Sequence, residues 1–82
     1  MTPRQRFAAN LSSARRKAGV TQETLADRCY LHRTEVSLLE RGGREPRLGT
    51  LVKLADALGV SIESLCAGIA WDENAQRFKF KK

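Results

Sequence analysis

The sequence is poor in the residues that chemistry usually needs. It has one histidine, His32, two cysteines, Cys29 and Cys66, one tryptophan, one tyrosine and three phenylalanines. No nucleophile sits near a base, no glycine-rich run could cradle a phosphate chain, and no cluster of His, Cys, Asp and Glu has metal-ligand spacing. These absences argue against an enzyme and give no reason to expect a cofactor or a metal. Cys29 and Cys66 lie far apart on apolar helical stripes and read as buried free thiols, which points to a reducing cytoplasm. No stretch is apolar and long enough for a membrane span or a signal peptide, and Met1 leads straight into Thr2-Pro3-Arg4-Gln5, a helix start. Internal repeats and low-complexity runs are missing as well.

Acidic residues are also scarce. Nine Asp and Glu face fifteen Lys and Arg, a formal net charge of +6. Such an excess favours a polyanionic partner, whether nucleic acid, anionic membrane or acidic protein, without choosing among them. The 82 residues make one domain, with a core just large enough to fold without covalent staples.

What is present is helical periodicity. Thr2, Pro3 and Gln5 form a capping box that opens a first helix, and Phe7, Leu11, Ala14 and Ala18 lie along one of its faces. Gly19 ends it. Thr21 caps a second helix, with Glu23 in its first turn and Leu25, Ala26 and Cys29 facing inward. The run Arg28-Cys29-Tyr30-Leu31-His32 breaks the period. A short third helix follows over about 33–41, with Val36 and Leu39 inward and Gly42-Gly43 as its stop. After Pro46, a fourth helix over about 48–58 is apolar at Leu48, Leu51, Val52, Leu54, Ala55 and Leu58, a stripe wide enough for a central packing element. Ser61 caps a fifth, in which Ile62, Leu65, Cys66 and Ile69 continue the core. From Ala70 the pattern changes to aromatic and basic alternation, which predicts strand around a turn at Asp72-Glu73-Asn74. The expected fold is all-α, a compact five-helix domain over 1–68, with a tail over 69–82 that can form a short hairpin.

Two short helices joined by a tight turn, the second presenting polar residues outward, fit the major groove of DNA. Spacing alone does not single out that use. The order of residues does more: TQETLA from Thr21 to Ala26, Val36 and Leu39, the run LLERG from Leu38 to Gly42, Pro46, and TLVKLADALGVSIESL from Thr50 to Leu65. Over about residues 7–66 the chain closely resembles the Cro and lambda-repressor class of helix-turn-helix domains, also called the xenobiotic-response-element-like family. The resemblance implies a cytoplasmic, sequence-specific regulator of transcription, a repressor in the first instance, that binds double-stranded DNA through its third helix. One such helix touches few base pairs, so a homodimer is expected.

The resemblance also implies roles for single residues. Gln22 matches a phosphate-binding glutamine; the alternative is a polar first-turn residue in solvent. Arg33, Thr34, Ser37 and Leu38 fall where base edges are met. Arg33 can donate twice to guanine, and Leu38 or the Thr34 methyl can touch a thymine methyl. For Arg33 the alternative is a phosphate contact, and for Leu38 a half-buried shoulder of the helix. Arg41, Arg44 and Arg47 match a loop that follows the DNA backbone, with Arg47 placed to enter the minor groove; the alternative is a solvated arginine loop. Glu35 departs from a phosphate-facing pattern. It is read as reaching back to the His32 amide at the helix start, in preference to reading cytosine. Arg15 lies on the stripe of the first helix and Glu40 near the end of the third, where the dipole disfavours an anion. Each is costly alone, so the two are expected to pair as a structural ion pair.

A competing reading makes the chain an antitoxin-like or other protein-interaction module, with DNA binding secondary and residues 69–82 meeting the partner. RNA binding lacks an aromatic platform on the basic face. In the tail, Ile69 and Trp71, like Phe78 and Phe80, project from one face of an extended strand. That face is expected to serve a dimer interface.

Overall fold

A computed structural model describes residues 1–81; Lys82, the last residue of the expected tail, lies outside the described residues. Five helices, α1 (Pro3–Lys17), α2 (Gln22–Cys29), α3 (Arg33–Glu40), α4 (Leu48–Leu58) and α5 (Ile62–Leu65), precede an antiparallel hairpin of β1 (Ile69–Asp72) and β2 (Arg77–Phe80).

The helix starts follow from side-chain chemistry. The Thr2 hydroxyl accepts from the Gln5 amide while Gln5 Oε1 accepts from the Thr2 amide, so the box at α1 satisfies donors that the first turn leaves free. Thr21 and Ser61 cap α2 and α5 in the same way. Between α2 and α3, Tyr30 adopts left-handed backbone angles, φ 53° and ψ 43°. That reversal lets the Leu31 amide donate to the Ala26 carbonyl and turns the chain into α3. It costs a residue with a Cβ about 1–2 kcal/mol and leaves the Tyr30 ring in solvent.

One apolar cluster joins the helices. Phe7 and Leu11 of α1, Leu25, Ala26 and Cys29 of α2, Val36 and Leu39 of α3, Leu54, Ala55 and Leu58 of α4 and Leu65 of α5 are all buried in it. Each large side chain removed from water contributes about 1.5–3 kcal/mol, which offsets the entropy lost in ordering its helix. The stripe of α4 is wider than the core uses: Leu48 is 76% exposed and Val52 also faces solvent. Ala18 and Ile62 are exposed as well, so with Leu48 and Val52 four positions assigned inward by periodicity face water.

The fifth helix is shorter than its apolar period. At Gly68 the backbone takes φ +84° and redirects Ile69 into β1, where it packs on the core as part of a strand. Ile69 pairs with Phe80 and Trp71 with Phe78, which puts all four on one face. A hairpin alone is marginal in water, and here α1 holds it. Asn10 Nδ2 donates to the carbonyls of Leu65 and Ala67 at 2.9 and 3.0 Å. Arg6 donates to the Lys81 carbonyl, and its guanidinium lies 5.7 Å from the centre of the Phe80 ring. The loop is closed by Asp72 Oδ1, which accepts from the Ala75 amide.

A charged pair links α1 to α3. Arg15 Nε donates to Glu40 Oε2 at 2.6 Å and its Nη2 to Oε1 at 3.0 Å, while Nη1 donates to the Val20 carbonyl at 2.9 Å. The side chains are 14% and 5% exposed. The bond to Glu40 pushes the Arg15 guanidinium above its ordinary value, with burial opposing, so the guanidinium stays charged.

Two outcomes follow. Glu40→Ala leaves Arg15 charged and without its carboxylate in a partly buried site and should lower stability by at most about 3–5 kcal/mol, less as water reaches the guanidinium, whereas Arg15→Met with Glu40→Leu should regain much of it; denaturant unfolding of the three proteins checks this. A Cβ on Gly68 would stand 2.7 Å from the Lys81 carbonyl oxygen, at a φ that side chains disfavour. Gly68→Ala should therefore release the hairpin at a cost of about 1–2 kcal/mol or more. Hydrogen exchange should show strand amides losing protection while those of α1 to α4 keep it.

Candidate nucleic-acid interface

The face built by α3 and the loop after it follows from how α3 is packed. Val36 and Leu39 point into the core and Glu40 toward Arg15, so the opposite side of an eight-residue helix is turned outward. Arg33 and Thr34 are exposed there, and Ser37 is half-buried beside them. His32 occupies the N-cap without a side-chain hydrogen bond to the helix. The Glu35 amide donates to the His32 carbonyl at 2.9 Å, so the positive dipole end of α3 is left without a capping side chain.

Leu38 is placed differently from the other three. A Cβ added to Gly43 would fall 2.2 Å from Leu38 Cδ1, so this leucine lies folded over the turn that ends α3. Only glycine at 43 leaves it that position. Leu38 thereby forms a shoulder of the helix, with less of its surface available than Arg33 or Thr34. The turn itself is closed by the Gly42 amide donating to Leu39 and the Gly43 amide to Leu38, with Gly42 at φ +73° against Gln5 of α1.

Arg41 stands just before that turn and Arg44 and Arg47 beyond it, all exposed. Among the described residues, Arg33, Arg41 and Arg47 have no carboxylate within 4.0 Å, so their charge is uncompensated at the surface. Arg44 differs: its Nη1 donates to Glu35 Oε1 at 3.0 Å. The expected reach of Glu35 back to the His32 amide is thus replaced by a bond to a residue nine positions later. The cause is the Gly42-Gly43 turn, which brings the chain back beside α3. This partnership was missed because no helical spacing encodes it; an acid on a basic face was the only signal.

Gln22 opens α2 at the edge of this surface. Its Nε2 donates to Glu40 Oε1 at 3.2 Å, so the residue matched to a phosphate ligand is tied to the Arg15–Glu40 pair. A shallow cleft bounded by Gly19, Thr21, Gln22, Glu23 and Arg33 separates the starts of α2 and α3. The whole surface therefore places arginines around α3, whose start carries no side-chain cap. It can accept anionic oxygens at its rim and hydrogen-bond acceptors at its centre. Among the described residues no group of three or more His, Cys, Asp and Glu is placed to hold a metal ion, and no helix is long and apolar enough to cross a membrane.

The chain is similar to known proteins in sequence and fold. A family model described as helix-turn-helix matches residues 11–65, from the middle of α1 to the end of α5. An uncharacterized HTH-type transcriptional regulator of Sinorhizobium fredii is 43% identical over 61 residues, 74% of this chain and 79% of that protein. The cryptic phage CTXphi transcriptional repressor RstR of Vibrio cholerae is 38% identical over 66 residues, 80% of this chain but only 59% of the repressor. The crystal structure of the restriction-modification controller protein C.AhdI from Aeromonas hydrophila superposes with a TM-score of 0.73 at 37% identity, covering 76% of this chain and 94% of that one. On its five helices, on the outward face of α3 and on these likenesses, the chain belongs to the Cro- and lambda-repressor-like helix-turn-helix family of DNA-binding transcriptional regulators.

Proposed function

We propose that the chain is a sequence-specific repressor that lays α3 in the major groove of duplex DNA and does so as a homodimer. The observation that carries this is the outward face of α3. Arg33, Thr34 and Ser37 are presented on a helix fixed by core packing and by Glu40, with Arg41 and Arg47 uncompensated at its rim. In this reading Arg33 donates to guanine O6 and N7, Thr34 and Ser37 meet neighbouring base edges, and Leu38 offers its remaining surface to a thymine methyl. Gln22, Arg41 and Arg44 hold phosphates, and Arg47, at the N-cap of α4, reaches the minor groove. The relatives named as a phage repressor and a restriction-modification controller support a role in transcription. Action is by binding alone, in the cytoplasm. Burial pushes the thiols of Cys29 and Cys66 up, which keeps them protonated and unreactive there.

The second subunit is assigned to the hairpin face. Trp71 and Phe78 meet edge to face with ring centres 5.1 Å apart, yet they remain 55% and 48% exposed. Exposed apolar residues that adjoin one another mark contact surfaces. Phe78 also borders an apolar cleft with Phe7, Pro46, Leu51 and Ile69. Phe80 is withdrawn from this role in part, because it lies under Arg6. Residues 1–68 then form the DNA-binding module and 69–82 the assembly segment.

Arg33→Ala should cost about 1–3 kcal/mol on the preferred duplex and relax the choice of base at one position of each half-site. Equal losses on preferred and random DNA, measured by fluorescence anisotropy, would reduce Arg33 to a phosphate contact. For the assembly, Trp71→Ser with Phe78→Ser should convert a dimer to monomers in sedimentation at micromolar concentration. A double variant that stays dimeric would remove the hairpin from the interface, and a stoichiometric foreign protein retained by Trp71 and Phe78 would favour the interaction-module reading.

A further inference from the structure

We propose that Glu35 is a built-in brake on sequence-independent DNA binding, which works by occupying Arg44 in the place of a DNA phosphate. The inference rests on the DNA-binding reading above and deepens it. Glu35 is the third residue of α3, on the helix that presents Arg33, Thr34 and Ser37, and it is the one acid in the first turn of that helix. Its Oε1 lies 3.0 Å from Arg44 Nη1, the separation at which a guanidinium also meets a phosphate oxygen. Of the arginines around this face, Arg44 alone has such a partner among the described residues, while Arg33, Arg41 and Arg47 have none.

The pair is built to exchange. Glu35 and Arg44 are 26% and 54% exposed, so water reaches both and neither is committed as Arg15 and Glu40 are. The turn at Gly42 and Gly43 sets where Arg44 comes back to α3, so the contact is a property of the fold and is ready before any DNA arrives. A phosphate that takes Arg44 must displace a carboxylate and leave that carboxylate facing the polyanion. Backbone contacts supply nearly all of non-specific affinity, so a brake on one of them acts most directly there. Helix-dipole complementarity would explain an acid at this position but would not require it to hold Arg44.

The test measures binding of wild type, Glu35→Gln, Arg44→Gln and the double variant to random-sequence duplex DNA by fluorescence anisotropy across a salt series, with helical circular dichroism confirming each fold. Glu35→Gln should bind random DNA on the order of five- to tenfold more tightly near 0.1 M salt, and the slope of log affinity against log salt should steepen by about 0.9, the value of one more phosphate neutralised. In the Arg44→Gln background the same substitution should change little. An unchanged affinity and slope for Glu35→Gln, with wild type binding DNA, would overturn the brake alone. A gain that persists without Arg44 would show that Glu35 acts by bare repulsion and would also overturn it. Loss of preference for one base pair on a selected duplex, with random-DNA affinity unchanged, would make Glu35 a base reader instead. Wild-type protein that does not bind duplex DNA even at low salt would overturn both this inference and the reading beneath it.

Discussion

The posture of α3 depends on one partly buried contact, the two-pronged bond of Arg15 to Glu40. Glu40 is the last residue of α3, where the helix dipole repels an anion, and no basic residue in that last turn relieves it. Arg15 supplies the missing charge from α1, and its third donor is used by the Val20 carbonyl in the turn before α2. Gln22 adds a further bond from the start of α2. Three helices thus meet on one carboxylate. An apolar contact of similar volume would hold them together without fixing which rotation of α3 is correct. A planar guanidinium bonded to both carboxylate oxygens fixes it.

With that rotation set, surface chemistry follows from position. Core packing takes Val36 and Leu39, the ion pair takes Glu40, and the residues left outward are the polar ones. The glycine turn after α3 then brings a run of arginines to the rim. One of them meets Glu35, and the remaining positive charge stays open to a polyanion. The hairpin leaves Trp71 and Phe78 in water, and Phe78 shares an apolar cleft with Pro46 of the loop after α3.

Local features were readable from the sequence. The capping residues Thr2, Thr21 and Ser61, the buried stripes and the hairpin turn are written in side-chain chemistry within a few residues of where they act. Family resemblance supplied the outward face of α3. Long-range geometry was less readable. The apolar period through Cys66 and Ile69 predicts more helix, but the helix stops at Leu65 and the left-handed backbone at Gly68 directs the chain into a strand. Leu48 and Val52 sit on the apolar stripe of α4 yet face solvent, since periodicity gives a direction and not the extent of the neighbouring surface. The pairing of Glu35 with Arg44 depends on a loop path that no local pattern specifies, and the position of Leu38 depends on the missing side chain of Gly43.

In the proposed reading, the face of α3, held by Arg15 and Glu40 and doubled by a second subunit, reads duplex DNA. Selection of bound duplexes from a random-sequence library tests it most directly. The expected result is enrichment of an inverted repeat whose half-sites lie about one helical turn apart, roughly 10 base pairs centre to centre, or a whole multiple of it. Recovery of sequences indistinguishable from the starting library would contradict it, as would a single motif with no symmetric mate.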